Sequence, residues 1–244
     1  SAARPVTSRQ NIPPHHQRRL YADRIAALYQ QEPNALFGHL FANYLAAIYL
    51  SQFFGTGLVL AWASAMTVAC GLRAGFAWQF GNRGDRQATQ TDLLRHTTGT
   101  LACSLVWSVG AVSILPLADA PTRSFLMMIL AGITAAAVVT LSPHLKSFLA
   151  FVAGMVIPPI TWLCFSSDPF DHAMGGLGIL YSIFCIFSAQ RAGKISTEGF
   201  FHRYRNEEMM KDLAKEKSIA ENARKNAERF TKTKQEFLAN MSHE

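Results

Sequence analysis

The chain has 244 residues, 50% of them hydrophobic and 16% charged, with a formal net charge of +7 and an isoelectric point near 9.4. The charges are unevenly placed: residues 36–190 hold only eleven Asp, Glu, Lys or Arg, whereas residues 191–244 hold twelve Lys or Arg alone. An apolar stretch of that length excludes an ordinary soluble domain, and basic residues that flank apolar runs or mix with Glu argue against a nucleic-acid partner.

Residues 1–34 contain Pro13-Pro14, His15-His16 and five Arg, with no apolar core. They are therefore read as an amino-terminal arm and not as a secretory signal peptide. Six apolar runs follow, at 36–54, 57–78, 97–117, 124–142, 146–165 and 173–190, each close to the ~20 helical residues that cross a hydrocarbon core. The expected fold is an all-α membrane protein, with six transmembrane helices in a sensor domain over 35–190 and then a cytoplasmic parallel coiled-coil helix. Lys and Arg fall in the arm, in the second connection (Arg83, Arg86 and Arg95, with Arg73 close by), in the fourth (Lys146) and in the tail, against Arg123 alone on the opposite side. That asymmetry predicts a multi-pass membrane protein with both termini in the cytoplasm, and it leaves Asp168 and Asp171 on the outer side.

Cys70, Cys103, Cys164 and Cys185 all lie inside apolar runs, without C-x-x-C spacing or a His at a ligand interval. They read as buried reduced thiols, and no metal site is expected. On the first run His39 and Asn43 are one helical turn apart with Tyr44 beside them, which makes the three signal-binding candidates, because polar groups inside a membrane are costly and often functional. The plainer alternative is that Asn43 hydrogen-bonds a neighbouring helix. Pro158-Pro159 should bend the fifth run. Ala150 with Gly154, and Gly71 with Gly75, have the spacing of packing faces. Trp62, Trp107 and Trp162 are pocket-lining residues or ordinary membrane aromatics.

From residue 195 the pattern becomes amphipathic. A heptad seam runs through Asn206, Met209, Leu213, Glu216, Ala220, Ala223, Ala227, Phe230, Lys234, Phe237 and Met241 in alternating steps of three and four, which predicts a dimeric coiled-coil linker over 191–236. Alanines weaken the seam, Glu216 and Lys234 interrupt it, and Gly193 and Gly199 leave room for a bend at its start. A lone amphipathic helix lying on the membrane is the plainer reading of the same pattern.

The chain ends on "KQEFLANMSHE". His243 lies about 200° around the helix from Met241 and so faces away from the seam. An exposed imidazole followed by a carboxylate suits nucleophilic chemistry, with the acid holding the proton of the other ring nitrogen. The string, from Phe237 through Ser242, His243 and Glu244, resembles the start of the phosphoacceptor helix of bacterial sensor histidine kinases, and it follows membrane runs and a coiled coil as in that family. The resemblance implies that residues 237–244 begin the dimerisation and phosphoacceptor helix, cut short here. It implies that His243 is the phosphoacceptor and Glu244 its acid-base neighbour, that the full-length protein is an ATP-dependent protein-histidine kinase using ATP and Mg, and that a response regulator receives the phosphoryl group. It also implies the bacterial cytoplasmic (inner) membrane. No Gly-rich phosphate loop is present, so this stretch alone is expected to hold no cofactor and to be inactive.

The outer connections are too short for a ligand-binding domain, so a stimulus is expected to be read within the bilayer, at its surface or from the cytoplasm. Six spans with minimal loops also resemble some quorum-sensing sensors, which implies a small lipophilic signal. The expected partners are a second copy of the chain, a response regulator, membrane lipid and that small molecule. Two other readings stay open: a non-enzymatic membrane receptor or scaffold that dimerises through its coiled coil, and a small transporter.

Overall fold

The computed structural model describes residues 14–83 and 88–241, with side-chain surroundings for 19–83, 88–229 and 231–232. Among them, regular structure is helical: α1 (Pro14–Gln30), α2 (Glu32–Leu50), α3 (Thr56–Gly81), α4 (Gln90–Ile114) with a short 3-10 turn at Leu115–Leu117, α5 (Ala120–Leu141), α6 (Leu145–Phe165) and α7 (Pro169–Met241). The helices group into two units, residues 1–197 and 198–244.

Five helical stretches are long and apolar enough to cross a membrane, at Thr56–Gly81, Gln90–Leu117, Ala120–Leu141, Leu145–Phe165 and the early part of α7. The first expected span, α2, falls short of the other five. The reason is its polar residues, and their placement is informative. Glu32, His39 and Asn43 share the buried face of α2 with Ala46, Ala47 and Leu50, while Phe37, Phe41, Tyr44, Leu45 and Ile48 are exposed. Polar residues face the bundle and large apolar ones face out, the reverse of a helix in water.

Part of the arm is itself a helix. In α1, Ile25, Leu28 and Tyr29 recur at helical spacing and are buried, and α1 packs against α2 and α4. α4 starts at Gln90, well before the expected 97, because Thr89 and Asp92 form a capping box: the Thr89 hydroxyl accepts from the Asp92 N–H, and the Asp92 carboxylate accepts from the Thr89 N–H. Asp119 caps α5 and His144 caps α6 by accepting from the N–H groups of Thr122 and Ser147.

The core of the first unit is centred on Met66, Trp107, Leu126, Phe148, Phe151 and Met155. Gly154 on α6 lies against Ser104 of α4, as its small-residue spacing suggested, whereas Gly71 and Gly75 have nothing near them among the described residues. The second small-residue pair is therefore no packing face within the described chain. α6 stays helical through Pro158 and Pro159. α7 stays helical through Gly193 and Gly199.

In the second unit, every side chain described from Glu208 to Arg229 is exposed, including Met209, Met210, Leu213 and Ile219. Ion pairs at i,i+4, Arg203–Glu207 and Arg224–Glu228, line its surface.

Candidate functional site

The densest buried polar group joins α2, α3 and α4. Glu32, at the start of α2, forms an ion pair with Arg73 Nη2 of α3 at 2.8 Å and faces His96 Nε2 of α4 at 2.9 Å. The three side chains are each no more than 3% exposed. Such a pair is held by its mutual attraction and by the hydrogen bonds around it, since burial alone penalises both charges. Gly99 on α4 makes room for the arginine: a Cβ there would meet Arg73 Cγ at 2.6 Å. The end of α1 seals the cluster. The Tyr29 ring stacks on Phe80 at 4.1 Å and meets His96 edge-on, and its hydroxyl donates to the Asp92 carbonyl at 2.8 Å. Burial, with Asp92 and Glu32 nearby, pushes the Tyr29 hydroxyl up to about 12, so it remains a donor. Arg83 is ion-paired with Asp92 beside it.

Several buried polar atoms have no hydrogen-bond partner among the described residues: Arg73 Nε and Nη1, His96 Nδ1 and Thr100 Oγ1 in or beside this cluster, and both amide atoms of Asn43 farther along α2. Buried polar groups are normally paired. These atoms are what the bundle has left for a polar guest or for a rearrangement.

The signal-binding candidates divide. His39 is buried, accepts at Nδ1 from Trp107 Nε1 at 3.1 Å and meets the Phe151 ring edge-on. Asn43 is fully buried on the same face. Tyr44 lies on the other face, exposed, with its hydroxyl 2.9 Å from that of Thr67. The structure brings His39 and Asn43 onto one inner face and leaves Tyr44 out. Trp107 also meets Trp62 edge-on, and Trp62 donates to the Val106 carbonyl, so both tryptophans are packing elements of the core.

At the opposite end of the bundle Arg123 of α5 pairs with Asp171 of α7 at 2.6 Å, beneath a Ser166 hydroxyl that donates to the same carboxylate at 2.6 Å. The guanidinium lies over the Trp162 ring at 5.2 Å. Asp171 is buried, so it acts here as a latch between helices.

His243 and Glu244 lie outside the described residues. Of the seam residues, Leu213, Ala220, Ala223 and Ala227 are exposed on α7, and the side chains of Phe230, Phe237 and Met241 lie outside the description. Cys70, Cys103, Cys164 and Cys185 are free thiols, and no group of three potential metal ligands occurs among the described residues.

Glu32, Arg73 and His96 were not singled out from the sequence as a site. The available signal was Arg73, a charge inside an apolar run, which by default marks function or pairing. No protein-family model, curated protein or solved structure matches the chain.

Proposed function

We propose that the chain is the membrane sensor and signalling helix of a bacterial two-component histidine kinase, with α2 as the first of six spans and both termini in the cytoplasm. The carrying observation is α7: a single 73-residue helix leads from the last apolar span to Met241, two residues short of His243 in the Ser-His-Glu motif. In this reading the α7 seams of two copies pair as a parallel coiled coil. The His243 imidazole attacks the terminal phosphorus of ATP, a P–N bond forms as the P–O bond to ADP breaks, and Glu244 takes up the displaced ring proton. The phosphoryl group then passes to an aspartate of a response regulator. Nucleotide and Mg are held by a domain of the whole protein outside this stretch. The signal is a small lipophilic molecule, read in the bilayer.

The test is phosphorylation of the full-length protein in vesicles with γ-labelled ATP. The reading expects an acid-labile, base-stable label that disappears in His243→Gln. A label that survives this substitution, or one that is acid-stable, would overturn it.

A further inference from the structure

We propose that the cavity between α5, α6 and α7 is a binding site for a neutral alkyl chain of about eight carbons ending in a hydroxyl group. This rests on the membrane-sensor reading and gives its ligand a place and a chemistry.

The cavity has a volume of about 220 Å³, and its lining includes Met127, Ala131 and Thr134 of α5, Val156 of α6, and Met174 and Tyr181 of α7. It lies wholly within helices apolar enough to cross a membrane. Its rim residues Met128 and Leu177 are exposed, so it opens toward the lipid.

Shape selects a chain. From Ser124 to Thr134 the lining follows α5 for about 15 Å, and from Met174 to Tyr181 it follows α7 for roughly 10 Å, at 1.5 Å per residue. With C–C bonds of ~1.5 Å an extended alkyl chain advances about 1.25 Å per carbon, so roughly eight to twelve carbons fill that length. Taking water's share of liquid volume, about 30 Å³, as a yardstick, the space suits roughly seven heavy atoms. The volume bound lies just below the length bound, so together they place the chain near about eight carbons, short of a phospholipid chain. Three methionines in the lining, Met127, Met128 and Met174, can adjust around a flexible chain.

Hydrogen bonding selects the polar end. The lining holds no charged side chain, and its three hydroxyl groups all have acceptors within the protein: Thr134 donates to the Leu130 carbonyl at 2.7 Å, Tyr181 to the Ala131 carbonyl at 2.7 Å, and Ser124 to the Ala120 carbonyl at 2.8 Å or to Met174 Sδ at 3.8 Å. What remains on these oxygens is lone pairs. The site can accept a hydrogen bond from a ligand O–H, but it has no donor or cation to receive a carboxylate.

The position also suits transmission. α7 is seated on α6 by Gly175 and Gly178, where an added Cβ would meet Cys164 Sγ and Ile160 Cδ1, each at 2.8 Å. The Tyr181–Ala131 hydrogen bond ties α7 to α5 across the cavity. An occupant presses directly on the helix that continues toward the motif.

The test uses this chain in phosphatidylcholine vesicles with a diazirine-bearing octanol as photolabel and peptide mapping as readout, without any phosphorylation step. Label is expected within 124–134 and 174–181, displaced by 1-octanol at about tenfold lower concentration than by octanoate at pH 8. Ala131→Phe should abolish labelling. Met127→Ala, which enlarges the space, should shift the best competitor toward 1-decanol. Label outside these peptides, equal competition by octanoate, an unchanged chain-length preference in Met127→Ala, or displacement by hexadecanol as strong as by octanol would overturn the proposal, the last by showing that a bilayer chain is the occupant. Because binding is read directly, its failure leaves the phosphorylation result standing, and failure of that result leaves the labelling standing.

Discussion

Replacing Arg73 with methionine keeps the stem that lies over Gly99 and removes the charge that faces Glu32. The carboxylate is 2% exposed and its other neighbour is His96 at 2.9 Å, so it cannot turn to water when the guanidinium goes. Removing one partner of a buried ion pair costs about 3–5 kcal/mol, chiefly because the remaining charge is left uncompensated. Arg73→Met should therefore lose about that much, and the double variant Glu32→Gln with Arg73→Met should recover more than half of it, because a neutral amide against an apolar side chain leaves no orphan charge. The assay is equilibrium unfolding in mixed micelles by SDS titration, followed by tryptophan fluorescence, for which the buried Trp62 and Trp107 are internal reporters. If Arg73→Met lies within about 1 kcal/mol of the parent, or if the second substitution adds a further loss, the cluster does not hold α2 to α3 as argued.

The same assay separates two glycines. Gly99→Ala should cost about 1–3 kcal/mol through the clash with Arg73 Cγ, while Gly71→Ala, with nothing within 4 Å, should be neutral or stabilising by up to about 1 kcal/mol. Burial, with Lys146, His96 and Arg24 nearby, lowers the pKa of His144 below its ordinary value. The unfolded chain therefore binds this proton more readily than the folded one, and the stability tied to neutral His144 is present above about pH 6.5 and is lost as pH falls below it toward the folded value. Unfolding midpoints between pH 8 and pH 5 should fall more steeply for the parent than for His144→Asn, which can still cap α6. For topology, cysteines placed at Thr56 and Ser167 should react with an impermeant maleimide from outside intact cells, and one at Gln87 only after permeabilisation; outside labelling at Gln87 would refute the six-span arrangement.

The apolar runs at 57–78 and 146–165 correspond closely to α3 (Thr56–Gly81) and α6 (Leu145–Phe165), because in both the end of apolarity and the end of the helix coincide. α4 did not follow that rule. Its first residues are polar, and what starts it is the reciprocal bonding of Thr89 and Asp92, a T-x-x-D pattern visible in the sequence but outweighed by hydropathy. α1 was hidden for a similar reason: its buried Ile25, Leu28 and Tyr29 are too few for an apolar run and become a face only once α2 and α4 are there to cover them. His39 and Asn43 were readable as a pair because they are one turn apart. Glu32, Arg73 and His96 were not, since they come from three helices, and Arg73 counted only as a flanking charge until packing placed a carboxylate beside it.

In the six-span reading, the inverted face of α2 bears on how that helix enters a bilayer. With Glu32 at its start and His39 and Asn43 along the same side, α2 on its own is a poor substrate for insertion, since polar side chains oppose transfer into hydrocarbon, a charge at the helix centre by about 2.5–3.5 kcal/mol on the biological insertion scale. Only a short connection separates it from α3 (Thr56–Gly81), which carries the arginine that answers Glu32. Partitioning as a two-helix hairpin lets the two charges meet before either faces hydrocarbon, and both sit at the same end of the hairpin, so neither needs to traverse the membrane. On this account the Glu32–Arg73 pair acts first during biogenesis, and α4 completes it later by delivering His96.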